Sequence, residues 1–430
     1  MITISRFARR ARPAPVPAQP WHDWGLGRLV LISGTAGLGW LLAVAAGVQV
    51  RENSVGYLAI AGALLVVGLY SSTHGISRDE LRVGAGTVTL AVTVGVLTKA
   101  ALIAGAMYLV FREPRYAVLG LAVAQIDPLA VAAMSAGSRM SARAKALLAA
   151  WASFDDPITV VLTVYGAAWL LRWGSASTGQ LTTIGPAAGS IGVSIAQNLA
   201  LAALGLLLWW ILQRFATARV PDQEPGDRVW PAVIETAVLV ALLALAVVYS
   251  LALGVALLGL FFRPPLGRLL GGVTQGAFLA ACFLLGLALA EGVDLWAGLV
   301  LGVAAFGAQV VVGLVIPARI TRRDRAYLAV GQQNGITAII LALLLEASVP
   351  GTVGVVAPAI LVVAVLHAVS NGVLDTGGSL ARWGRRTGAP APDGREQTGV
   401  GPHERSGILP AQAGGDAAAG TVSKVERERG

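Results

Sequence analysis

Apolar residues run through this chain in blocks too long for strands and too evenly apolar for the surface helices of a soluble domain. Between polar interruptions the sequence predicts about twelve helical stretches, near 28–50, 55–74, 83–111, 116–136, 146–171, 188–213, 230–247, 249–262, 270–290, 295–317, 326–346 and 352–375. Most approach the roughly 20 residues that a helix needs to cross about 30 Å of hydrocarbon. The predicted class is therefore all-α and polytopic. The run from Trp230 to Phe262 is long enough for one very long helix or two shorter ones. Charge placement selects two, because Arg228 before it and Arg263 after it belong on the same side of a bilayer.

The loops carry the remaining pattern. Arg78 and Arg82, then Arg139, Arg143 and Lys145, then Arg214, Arg219 and Arg228 fall on one side, joined by Arg319 to Arg325 and by Arg382, Arg385 and Arg386. By the positive-inside rule that side is the cytoplasm, with both termini on it, in a cell membrane. Arg112 and Arg115 break the pattern. Residues 1–27, rich in Arg and Pro, read as a cytoplasmic N-terminal segment, and the run from Leu29 to Val50 is too long for a cleaved signal peptide. Residues 28–375 form the transmembrane domain. Residues 376–430 turn to Gly, Ala, Pro and mixed charge and read as a disordered cytoplasmic tail.

Composition agrees. The chain is 56% hydrophobic and 13% charged, against roughly 25% charged in soluble domains. Its net charge of +9 lies in loop arginines, so no nucleic-acid face is implied. Cys282, the sole cysteine, sits inside an apolar run and offers no disulfide or metal framework. Nothing resembles a Gly-rich phosphate loop ending in Lys-Ser/Thr, which argues against an ATP-driven pump. No cofactor is implied.

The order of features repeats. Gly68-Leu69-Tyr70, a long apolar span and Gln125-Ile126-Asp127-Pro128 are followed in the second half by Gly286-Leu287-Ala288, a long span and Gln332-Gln333-Asn334-Gly335. On the charge-derived topology the two polar interruptions enter from opposite sides. Two inverted repeats with interrupted crossing helices point to a transport site near the midplane.

The acids in that region carry the chemistry. Pro128 removes a donor beside Asp127, and a freed carbonyl next to a carboxylate is a hard-oxygen setting for a small cation. Asp155 and Asp156 precede Pro157 about ten residues into their span. Adjacent helical residues point about 100° apart, so one carboxylate faces a cavity while the other meets a neighbouring helix. Carboxylates are costly in hydrocarbon and mark functional sites. Crowded in low dielectric they resist full ionisation, which suits a site that takes either a cation or a proton. Lys99, one of three lysines, stands in a span with no other charge. It is either a working partner of Asp155 or a lysine that is ion-paired for packing or faces an aqueous vestibule.

Ile126-Asp127-Pro128 and Phe154-Asp155-Asp156-Pro157 resemble the two acidic motifs of the cation:proton antiporter superfamily, the sodium–proton exchangers and their relatives. Gly331 to Ala338 is similar to that family's second interrupted helix. The resemblance covers about residues 28–375. It implies exchange of Na⁺ or K⁺ for H⁺ by alternating access in a homodimer, serving pH homeostasis. Asp156 would be the main cation- and proton-binding carboxylate, and Asp127 would join it in holding the transported ion. Asp155 would be the charge-setting neighbour. Ile126 stands where the family usually has Thr. Trp151 stands near a usual Glu, and Gln333 or Asn334 near a usual Arg. Electrogenic members carry a lysine in the second repeat, where this chain has Gln309. Lys99, Asn334, Gln333, Gln309 and Ser153 are the candidate partners of the acids.

Two other readings stay open. A sodium-coupled organic-anion symporter of related fold would use polar ligands at both crossings, which Gln332, Gln333 and Asn334 provide. An intramembrane aspartyl protease would also use paired acids, but neither acid follows the Gly-x-Gly context of such enzymes.

Overall fold

The computed structural model describes residues 25–387 except 49–50, 53, 76–84, 129–130, 132–137, 139, 174–190, 218–228, 265, 317–319 and 333. Its helices are α1 (Gly25–Ala46), α2 (Val55–His74), α3 (Ala85–Leu90), α4 (Val96–Phe111), α5 (Pro114–Ala122), α6 (Ala142–Trp173) and α7 (Ile191–Thr217). The second half holds α8 (Val229–Tyr249), α9 (Ala252–Phe261), α10 (Gly267–Ala288), α11 (Leu295–Val315), α12 (Arg322–Ala329), α13 (Ile336–Glu346) and α14 (Thr352–Thr387). Among the described residues there is no strand, and eight helical stretches are long and apolar enough to cross a bilayer. This is a polytopic helical membrane protein. Large apolar side chains face outward on α7 (Leu207, Trp210), α8 (Val240, Val248) and α11 (Val311, Leu314), as lipid-facing surfaces require.

Local chemistry sets the helix ends. Ser54 caps α2 through Tyr57 N–H, Asp294 caps α11 through Ala297 N–H, and Thr321 caps α12 through Asp324 N–H. Each cap satisfies a donor that has no partner within its helix. Pro114 opens α5, where a missing N–H costs nothing. The apolar run from Trp230 to Phe262 is two helices, parted at Ser250, whose φ is 54°. The long third span is not uniform. Ala91–Gly95 forms a π-helical turn between α3 and α4, and such turns gather at functional sites. The last helix continues past 375 to Thr387.

Two sets of helices surround α13. On one side α1 lies along α10, and α2 packs against α8, α9 and α10. On the other, α4 and α11 pack together, α5 lies on α4 and α6, and α12 lies on α11. Helix α13 touches α2 and α10 on one face and α5 and α6 on the other. Glycine permits the closest approaches: a Cβ on Gly39 or Gly286 would overlap the backbone where α1 meets α10. The same holds where Gly120 of α5 meets Ala104, and where Gly313 of α11 meets Ala329.

The repeat is visible in the backbone. Each short helix, α5 and α12, ends on a valine of nearly the same conformation, Val123 at φ −99°, ψ 1° and Val330 at φ −96°, ψ 11°. Each break is followed in the chain by a helix with an internal proline, Pro157 in α6 and Pro358 in α14.

At one end of the array Glu52, Glu291 and Glu346 bring carboxylate oxygens within 4.8 Å of one another. Glu346 is buried and accepts the N–H groups of Gly351 and Val353. Burial, then the Glu346 and Glu291 charges, push the Glu52 carboxyl up to about 7. A carboxyl raised in the folded state favours folding fully only below its unfolded value, and that contribution disappears as pH rises through the folded value. Thermal unfolding of the purified protein should therefore show Tm falling between pH 5 and pH 7.5. Glu52→Gln should flatten that part of the profile, and an unchanged slope would show that this cluster does not set it.

Candidate functional site

The two breaks meet, and each is closed chiefly by side chains from other elements. In the first, residues 123–127 leave the helical path, so carbonyls there lose their intrahelical donors. Asn334, from the second break, donates to Val123 O at 2.9 Å. Gln332 donates to Gln125 O at 2.8 Å and to Asn334 Oδ1 at 2.9 Å. In the second break the corresponding carbonyl, Val330 O, meets Nδ1 of His367 from α14 at 2.8 Å. Gln309 of α11 donates to Leu328 O at 3.0 Å. Irregular backbone at membrane depth is tolerated only when protein satisfies it in this way.

Asp155 and Asp156 diverge as their 100° separation on α6 requires. Asp155 Oδ2 accepts from Lys99 Nζ of α4 at 2.6 Å and from the N–H of Ile126 at 2.8 Å. Lys99 and Asp155 are both fully buried, and the ammonium lies 5.7 Å from the ring centroid of buried Trp151. Lys99 is therefore ion-paired with Asp155. That pair also holds the first break, since the same carboxylate oxygen takes the Ile126 donor.

Asp156 looks the other way. Its Oδ2 accepts from Ser72 of α2 at 2.8 Å, while its Oδ1 is buried without a hydrogen-bond partner. Asp127 lies close enough for the two charges to interact. Asp127 is itself 2% exposed and packed on Gly335, where any Cβ would overlap its carboxylate. Thr337, at the start of α13, lies beside Asp156 but outside hydrogen-bonding geometry, and its hydroxyl is otherwise unpartnered. Three carboxylates and one ammonium thus share a buried volume at the crossing.

The structure brings Asp127, Asp155, Asp156 and Lys99 together, with Asn334 one layer behind as a cap on the first break. Two candidate partners are engaged elsewhere: Ser153 donates back to Ala149 O at 2.8 Å, and Gln309 caps Leu328 O. Gln333 lies outside the described residues. Ser72 and Thr337 were not among the candidates. The one sequence signal for Ser72 was a polar Ser71-Ser72-Thr73 run at the end of an apolar span.

Comparison with known proteins supports the fold. No protein-family model and no curated protein matches the sequence. Solved structures do: one of the sodium proton antiporter MjNhaP1 from Methanocaldococcus jannaschii at pH 8 superposes with a TM-score of 0.57 at 15% identity. That match covers 79% of this chain and 92% of the antiporter. An electron-microscopy structure of the same antiporter gives 0.53 at 18% identity, covering 81% and 94%. The chain has a cation/proton antiporter-like fold.

Breaking one half of a buried ion pair leaves an uncompensated charge, at about 3–5 kcal/mol, whereas removing both halves is far milder. Lys99→Met should therefore lower stability by about that amount in denaturation of the purified protein. Lys99→Met combined with Asp155→Asn should recover most of the loss. Additive losses in the double variant would mean the two side chains act independently.

Proposed function

We propose that this protein is a secondary antiporter that exchanges a monovalent cation, Na⁺ or K⁺, for protons across a cell membrane, with Asp156 as the exchanging carboxylate. The observation that carries this reading is the unequal treatment of adjacent acids. Asp155 is saturated on one oxygen by Lys99 and Ile126 N–H. Each acid keeps one buried oxygen without a donor, but where Asp155 has an ammonium on the other, Asp156 has the neutral Ser72 hydroxyl. A carboxylate in that position needs a positive partner when ionised. A proton or a small cation supplies one equally well, and the two exclude each other. Competition for one group, combined with exposure to each side in turn, is sufficient for exchange. The similarity to a sodium proton antiporter structure supports the same reading. The amides of Gln332 and Asn334, which a symporter of organic anions would use on substrate, are engaged on the first break.

Everted vesicles or proteoliposomes carrying the protein should lose an imposed pH gradient on addition of Na⁺, Li⁺ or K⁺. Asp156→Asn should reduce that response to the level of empty vesicles. Running the cations in turn, with and without a potassium–valinomycin clamp, identifies the ion and reports whether charge moves. Full exchange by Asp156→Asn would remove Asp156 from the assignment.

A further inference from the structure

We infer that the hydroxyls of Ser72 and Thr337 supply the neutral oxygens of the cation site at Asp156, so that the site is built across α2 and α13 as well as α6. The inference rests on the exchange reading and extends it to two residues on helices that carry none of the acids.

Group IA ions are hard and take several oxygen ligands, and a protein of neutral amides and hydroxyls fills the places that carboxylates do not. Around Asp156 the capacity of the nearby groups can be followed atom by atom. Asp155 is turned away to Lys99 and Ile126 N–H. Gln332 and Asn334 donate to the first break. Beside Asp156 stand Asp127, the Ser72 hydroxyl at 2.8 Å and the Thr337 hydroxyl.

Both hydroxyls have capacity to spare. A hydroxyl carries one donor and two acceptor lone pairs, so Ser72 can donate to Oδ2 and still offer an oxygen to an ion held by the same carboxylate. Thr337 is 2% exposed and its oxygen has no hydrogen-bond partner. A buried hydroxyl left unpaired is costly, and a ligated ion removes that cost. Asp156 Oδ1 is a second unpartnered oxygen in the same place. These vacant oxygens converge from α6 and α13, elements far apart in the chain.

Asp156, Asp127 and Thr337 are buried, whereas Ser72 is partly exposed. Ser72 is thus the most accessible of the four. Because α2 packs with α8, α9 and α10 as well as with α6, the Ser72 contact ties the ion to both α6 and that group of helices.

The test is cation-dependent exchange in proteoliposomes containing the full chain. Ser72→Ala and Thr337→Val should each raise the half-saturating Na⁺ or Li⁺ concentration about tenfold, the effect of losing one charge-assisted contact. The maximal rate should stay within about twofold, since the exchanging carboxylate is intact. The activity profile of Ser72→Ala should also move to more alkaline pH, because protons compete better with a weaker-bound cation. Ser72→Thr and Thr337→Ser, which keep the hydroxyl, should behave as the unaltered protein. So should Ser71→Ala, whose hydroxyl accepts from Thr274 instead. Unchanged half-saturation in both hydroxyl-deleted variants would overturn the assignment, as would an equal shift in Ser71→Ala. If a deleted variant fails to transport, Na⁺-dependent thermal stabilisation of the purified protein reads binding directly, and an unshifted midpoint again overturns it. An unaltered protein with no cation response in either assay would instead refute the exchange reading itself.

Discussion

Backbone N–H and C=O groups cannot be left unpaired in hydrocarbon, and the whole centre of this protein is organised by that constraint. Two helices are broken where they meet, which exposes polar backbone inside the protein. Each break is closed from outside itself. Amides of the second break cap carbonyls of the first, Asp155 takes the Ile126 donor, and His367 meets Val330 O. The crossing is therefore a single polar assembly, and its geometry fixes the positions of the acids. Gly335 shows how tight this is, since a methyl group there would enter the Asp127 carboxylate.

From this assembly follows the division between neighbouring aspartates. Helical geometry separates Asp155 from Asp156 by about 100°, and the surroundings then give them different work. Asp155 is tied into a fully buried pair with Lys99 and holds the first break. Asp156 faces α2, where its partner is the neutral Ser72 hydroxyl and not an ammonium. A buried ion pair adds little net stability but is costly to break, so Lys99 and Asp155 make a fixed element beside Asp156.

The helix pattern was legible because long apolar runs and loop arginines obey bilayer physics directly. The division at Ser250 followed from charge parity alone. The two interruptions were legible at Asp127-Pro128 and near Asn334, where polar residues stand in apolar spans. Partnerships were less so. Lys99 was visibly out of place, yet whether it met Asp155 depended on how α4 lies on α6. Gln309 and Ser153 looked like ligands, but each satisfies a carbonyl close by. Ser72 and Thr337 did not stand out because hydroxyls are common in membrane helices and many bond their own backbone, as Thr163 does. The π-helical turn at Ala91–Gly95 has no sequence signature, since nothing in its apolar residues distinguishes it from the helix on either side.

The account depends on a proton and a cation competing for one buried carboxylate. The most direct measurement is proton release when Na⁺ or Li⁺ is added to the purified protein in weakly buffered detergent solution, with choline as the control. The account predicts that cation binding releases protons from the unaltered protein and that Asp156→Asn releases none. Cation binding, detected as heat, without proton release would contradict it, as would undiminished release from Asp156→Asn.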